Sequence, residues 1–269
     1  MAAELPLQAI AGLLGLPQED RHPMFEWTRA IVDYSDRDLG QSSDKLRLAA
    51  AGLADYGRRL IARKRASPSD DMLSIVIHAE LPGDEGVPRR LADEELLPFF
   101  MLLLIAGSET TRNAIAGGLL ALIEHPAELA QLRGAPSLLA SGVEEILRWT
   151  SPTTYNRRTA TQDSELAGQK ISAGDKLTHW YPSANRDAAV FADPFRFDVA
   201  REPNPHLAFG NGLHHCLGAS LARTEIRLVF EALLPRWREL ELDGPVEWAR
   251  SNKHGGIRHL PVRFRAHGG

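Results

Sequence analysis

The stretch AFGNGLHHCLGASLART, residues 208–224, contains Cys216, the only cysteine in 269 residues. A lone cysteine is by default a small buried hydrophobe. Its neighbours here point elsewhere. Gly210 and Gly212 permit positive φ, Gly218 removes a side chain two residues past the sulfur, and a helical pattern starts at the cysteine, so backbone N–H groups and a positive helix end are offered to a thiolate. Other chemistries need more than this stretch provides. A zinc site would have to use the adjacent His214, His215 and Cys216, a poor tetrahedral set, with no CxxC or HxxxH to complete it. A nucleophilic cysteine would need a base from elsewhere, because consecutive side chains rarely converge.

Upstream of this loop the pattern is mainly helical. Leu46, Leu53, Tyr56 and Leu60 make one apolar stripe, and Pro68 ends that helix. Asp70 or Asp71 is placed to cap the next short one. The longest candidate helix runs from Leu91 to His125, with Asp93 as N-cap and Pro98 either in its first turn or bending it. Its most apolar part, Leu96 to Gly107, is too short to span a bilayer and reads as a buried core helix. A further helix ends at Pro152. The segment after it alternates short β-prone runs with Ala-Gly and Gly-Asp turn signals, which predicts small hairpins. From Pro182 to Gly212 the chain is irregular for some thirty residues, unusual inside a compact domain unless it is functional. Beyond Cys216 a helix resumes, with Leu221, Leu228, Val229 and Ala232 on one face, and the tail reads as short strands. With no repeat and no long linker, we expect one domain over residues 1–269, mainly α with small β hairpins.

The pattern F-G-x-G-x-H-x-C-x-G, Phe209 to Gly218, resembles the haem-ligand loop of the cytochrome P450 family. On that resemblance Cys216 is the proximal thiolate of haem b, His214 hydrogen-bonds a haem propionate, and Phe209, Gly210 and Gly218 shape the loop. The thiolate pushes electron density onto iron and favours O–O cleavage. His215 is then a loop neighbour. In the long helix, AGSETT (106–111) is similar to the family's oxygen-activation segment. Thr110 would bond back to the carbonyl of Ala106 and loosen the helix, Gly107 would remove bulk over the haem, and Glu109 with Thr110 and water would deliver the protons that oxygen activation consumes. An acid on so apolar a segment is costly unless paired or wetted. Glu145 and Arg148, three apart on a helix, resemble the family's E-x-x-R pair, with Arg196 of DPFRF as third partner in a network bracing the irregular stretch. Arg158 of NRRTAT matches the arginine that pairs with a propionate, with Arg157 beside it solvated, or the two exchanged. SANRD (183–187) also follows the family's wording.

The resemblance implies a monooxygenase that inserts one atom of O2 into a C–H bond of a hydrophobic molecule, with electrons from NAD(P)H through a ferredoxin reductase and a ferredoxin. Arg223 and Arg227 are candidates for a basic face toward that partner, or for a solvated helix face. The wording of the motifs is most similar to actinobacterial members that hydroxylate sterol side chains and methyl-branched lipids. The resemblance also implies that the chain lacks the N-terminal part of the fold: the sheet strands, a helix holding the far side of the haem, and a loop roofing the substrate pocket. We therefore expect the isolated chain to bind haem weakly or to aggregate, and the alternative to an active enzyme is a haem-binding or inactive remnant. A formal net charge of -4, 43% apolar and 25% charged residues are those of an ordinary globular protein and lend no support to nucleic-acid binding. A single cysteine and no secretory leader or transmembrane segment make the cytoplasm the expected compartment.

Overall fold

The computed structural model describes residues 2–83 and 87–266. The chain divides into two compact units, Met1–Arg112 and Asn113–Gly269, and the boundary falls inside its longest helix.

The first unit contains α1 (Glu4–Leu13), α2 (Arg21–Asp33), α3 (Ser43–Ala66), α4 (Met72–His78) and the opening part of α5 (Asp93–Glu124). Ser42 caps α3, its Oγ accepting the N–H of Lys45 at 3.2 Å. The expected stripe on α3 is real: Leu53 and Leu60 are fully buried, and Leu46 and Tyr56 flank them half-buried. Asp71, rather than Asp70, caps α4, with Oδ1 accepting the N–H of Ser74 at 2.9 Å. Its Oδ2 lies 2.5 Å from Nζ of Lys64, and both side chains are buried. Gly15 lies against this pair at φ +69°, where a Cβ would come within 2.5 Å of Nζ. Only glycine meets both demands.

Helix α5 differs from expectation at its start. Ala92 is the cap, its carbonyl accepting the N–H of Leu96, and the Ala92 N–H is satisfied by Glu95 Oε2 at 2.9 Å, while Asp93 is the first helical residue. Pro98 lies in the second turn and the helix continues through it. The apolar run is buried on one side only. Leu96, Phe100 and Leu104 recur at four residues and have no exposure, whereas Leu102 is 61% exposed and Ala106 is exposed as well.

The second unit holds the rest of α5, α6 (Pro126–Gly134), α7 (Leu139–Thr150), α8 (Tyr181–Ala184), α9 (Ala219–Leu233) and four two-stranded antiparallel ladders. Strand β1 (Tyr155–Thr159) pairs with β4 (Lys176–Trp180), and β2 (Ser164–Leu166) pairs with β3 (Gln169–Ile171). Ala167 and Gly168 turn β2 into β3 at φ +49° and +78°, the two positive values a tight hairpin requires. In the tail β5 (Trp237–Leu242) pairs with β8 (Val262–Ala266), and β6 (Glu247–Trp248) with β7 (Ile257–His259). The buried face of α9 is Ala219, Ile226 and Phe230, joined by Glu225. Leu228 and Ala232, expected on that face, are exposed, because the helix is rotated to bring the i, i+4 pair Ile226 and Phe230 inward.

Candidate functional site

The irregular stretch before the cysteine is held by buried charge rather than by a core of its own. Glu145 and Arg148 on α7 have no solvent exposure and face each other in a fork, Nε to Oε2 and Nη2 to Oε1 both at 2.7 Å. Arg148 spends its remaining donors on chain carbonyls: Nη1 on Asn185 and Pro194 at 2.8 Å each, and Nη2 on Arg196 at 3.1 Å. The third charged partner is Arg201, whose Nε lies 3.2 Å from Glu145 Oε2. This corrects the expected role of Arg196. The Arg196 side chain is exposed, and the residue contributes its carbonyl, which accepts from Arg148 and, at 2.8 Å, from Arg201. Glu145 also accepts the backbone N–H of Asp198 at 2.9 Å and Asn204 Nδ2 at 3.1 Å. A buried ion pair is tolerable only when its leftover donors and lone pairs are satisfied, and here the meander itself satisfies them.

Asn185, inside SANRD, is a second hub that sequence reading passed over. It is fully buried, donates Nδ2 to Ser151 Oγ at 2.8 Å and accepts the N–H of Leu207 on Oδ1 at 2.7 Å. It thereby ties the end of α7 to the lead into the cysteine loop.

The loop itself is closed by its backbone. The N–H of Cys216 donates to the carbonyl of Phe209 at 2.9 Å, and that of His215 to Gly212 at 3.0 Å. Gly210 and Gly212 adopt φ of +70° and +69°, as their spacing leads one to expect. Residues 211–218 are exposed, including Cys216. A Cβ on Gly218 would stand 3.9 Å from Sγ, and one on Gly212 would meet nothing. Helix α9 begins three residues after the cysteine, separated from it by a turn. His214 lies in a short 3-10 turn with its ring free of hydrogen bonds to the described residues. Phe209 contacts the rings of His206 and His215, with centroids at 6.0 and 6.3 Å.

Arg158 stands on β1, opposite Leu177, with an exposed guanidinium whose Nη1 donates only to the carbonyl of Arg157. Arg223 and Arg227 are both already paired. Arg223 forks onto Glu144, and Arg227 binds Glu231 at 2.7 Å, so neither presents an uncompensated positive face.

The oxygen-activation candidates belong to the first unit. Thr110 Oγ1 donates to the carbonyl of Ala106 at 2.9 Å, the back-bond expected from the sequence. Gly107 packs against Ile10, with a Cβ position 3.1 Å from Cγ1, so its small size serves helix packing. Ala106, not Gly107, stands on the open face of the helix. The Glu109 carboxylate is largely buried and forms an ion pair with Arg112, one turn on. It lines a pocket with Leu7, Phe25, Thr28 and Ser108. The costly acid is thus both paired and beside a cavity.

These residues suit a haem with an axial thiolate. A soft, exposed sulfur is a ligand for iron, the glycines clear the approach on its side, and Arg158 and His214 carry donors not committed to any carboxylate among the described residues. Leu213 and Leu217 of the loop are strongly exposed and offer apolar contact to a flat macrocycle.

Comparison with known proteins bears on the same residues. The family model "Cytochrome P450" matches residues 9–135 and 137–258. The chain is 50% identical over 266 residues to a "Putative cytochrome P450 126" of Mycobacterium tuberculosis, covering 98% of this chain and 64% of that protein. It is 43% identical, over 98% of this chain and 61% of the relative, to a "Methyl-branched lipid omega-hydroxylase" of the same species. Among solved structures, Mycobacterium marinum cytochrome P450 CYP268A2 in complex with pseudoionone superimposes with a TM-score of 0.90 at 36% identity, over 98% of this chain and 63% of that one. The chain thus spans somewhat under two thirds of the length of these relatives. A family model matched over most of the chain, together with a relative and a solved structure that are alike over nearly all of it, establishes that this chain belongs to the cytochrome P450 family of haem-thiolate proteins.

Proposed function

We propose that this protein is a haem-thiolate monooxygenase that hydroxylates a C–H bond of a hydrophobic substrate. The observation that carries this reading is the Cys216 loop: an exposed thiol one turn ahead of α9, on a loop closed by its own N–H to Phe209 and opened by two glycines at positive φ. Haem b, bound through Cys216, would supply the iron at which O2 is activated. Phe209, Gly210 and Gly218 shape the ligand loop, while Arg158 and His214 are assigned to the two propionates. Glu145, Arg148 and Arg201 hold the meander that leads into it.

Thr110 and Glu109 are assigned to proton transfer. The Thr110 hydroxyl is fixed by its bond to Ala106 and keeps its lone pairs for an incoming proton. Glu109 precedes it on the helix, about 100° around the axis, and faces the pocket beside Thr28. A proton taken up at the carboxylate from that side passes to Oγ1 of Thr110 through water. The Arg112 guanidinium must loosen its hold for the carboxylate to accept it.

For the substrate we favour an alkyl chain ending in a methyl branch, on a lipid or on a sterol side chain. The support is the relative named for methyl-branched lipid omega-hydroxylation. We assign the electrons to a ferredoxin and its NAD(P)H-dependent reductase, and the location to the cytoplasm. No described helix is long and apolar enough to cross a membrane.

The test is optical and chemical. The haem-loaded, reduced and CO-treated protein is expected to show the red-shifted Soret band of a thiolate ligand, and Cys216→Ala to abolish it. A histidine-type band, or oxidation of a methyl-branched fatty acid that survives Cys216→Ala, would overturn the reading. An absent band from the 269-residue chain alone, with the band restored in a version extended to the relatives' full length, would assign haem retention to the residues beyond this chain.

A further inference from the structure

Two consecutive glutamates on α7 do different work. Glu145 is turned inward and holds the meander; Glu144 is turned toward the lead into the cysteine loop. Arg223 of α9 meets Glu144 as a fork, Nε to Oε1 at 2.7 Å and Nη2 to Oε2 at 2.9 Å. His206 places Nε2 3.1 Å from Oε2 of the same carboxylate, and its Nδ1 accepts the N–H of Ala208 at 3.2 Å. The guanidinium of Arg223 lies over the ring of Phe209, 4.6 Å from its centroid. The carbonyl of Phe209 is the acceptor for the Cys216 N–H.

We propose that Glu144, Arg223 and His206 form a clamp that positions the Cys216 loop by fixing Phe209 between α7 and α9. They are positioning residues for the thiolate, and their significance for iron rests on the assignment of Cys216 given above.

The chemistry of the parts fits this use. Only arginine presents a planar fork to a carboxylate while stacking its face on an aromatic ring. Burial alone would raise the Glu144 carboxyl, but the hydrogen bonds from His206 and Arg223 and the charge of Arg223 bring it down to about 2, so the anion persists. Three segments distant in sequence, at 144, 206–209 and 223, are joined through one carboxylate. Arg223 is near enough to Cys216 to interact with it electrostatically, and Glu144 offsets that charge.

The test is amide hydrogen exchange on the 269-residue chain without haem, in Glu144→Gln and Arg223→Lys. Glutamine keeps the shape and loses the charge; lysine keeps the charge and loses both fork and stack. Each is expected to speed exchange at the Cys216, Ala208 and Gly210 amides about tenfold, as loss of a charged hydrogen bond does, and the double variant no further. Amides of β5 and β8 should be unchanged. Loop amides within twofold of the parent in both variants would overturn the clamp, and so would an equal acceleration across the whole unit.

On haem-loaded protein a second readout follows. Glu144→Gln should shift the iron midpoint potential upward, through the uncompensated Arg223 charge, and Arg227→Lys should leave it unmoved. A potential unchanged in Glu144→Gln would also overturn the proposal. Failure of every form to show a thiolate band would defeat the assignment of Cys216, and the exchange data would still judge the clamp.

Discussion

Glu225 on α9 is the perturbation with the most definite consequence. It is 4% exposed, and both carboxylate oxygens are buried without a hydrogen-bond partner among the described residues. Burial alone pushes its pKa from 4.5 up to about 7. That difference corresponds to about 3 kcal/mol of pH-dependent stability. Below about pH 4.5 the acid is neutral in the folded and unfolded chain alike, so burial carries no charge penalty. Between 4.5 and 7 the folded state holds the proton more tightly, and stability falls as pH rises; above about 7 the full penalty of a buried carboxylate is felt. Urea unfolding of the parent and of Glu225→Gln at pH 5 and pH 8 measures this directly. The parent is expected to lose about 2.5 kcal/mol more than the variant between the two pH values, since some of the penalty is already present at pH 5, and the variant to be the more stable at pH 8. All other side chains are common to both proteins, so the difference isolates Glu225. Parallel stability profiles would refute the reasoning, because they would mean that the carboxylate is solvated or paired in the folded state.

Arg201→Ala should cost about 3–5 kcal/mol in thermal or urea unfolding, since it strips a cation from fully buried Glu145, whereas Arg196→Ala should stay within about 0.5 kcal/mol. Equal effects would return Arg196 to the network. Asp71→Asn should cost about 3–5 kcal/mol by leaving the buried Lys64 ammonium without its anion. Burial raises the Asp71 carboxyl, but Lys64, Ser69 and Ser74 together lower it to about 2 from 3.8. Its contribution is thus present above about pH 3.8 and lost as pH falls through 2, which acid titration of folding in the parent and the Asn variant will show.

The motifs legible in the chain were those whose geometry is local. Two glycines at positive φ, a threonine bonding to the carbonyl four residues back, and a Glu-x-x-Arg pair on one helix face all depend on a few adjacent backbone torsions. Each is found where the spacing put it. What failed was partner choice. Arg196 and Arg201 stand five residues apart in an irregular segment, and nothing periodic says which one turns inward. Glu144 looks like the solvated neighbour of Glu145, and Arg223 like a surface cation, until α7 and α9 are packed together. Glu225 carried no local signal at all, and Asn185 had its place in SANRD but no sign of the partners it would join.

The sequence by itself therefore determined the family, the helix-dominated architecture, the presence of small hairpins and the identity of the one thiol, because those follow from periodicity, turn residues and a contiguous loop. The tertiary structure alone decided which charges are buried together, which arginine completes the Glu145 network, which face of α5 is left open and what grips the cysteine loop. The reason is physical. The cost of burying a charge depends on groups brought near through space, and a chain read in order does not contain those distances.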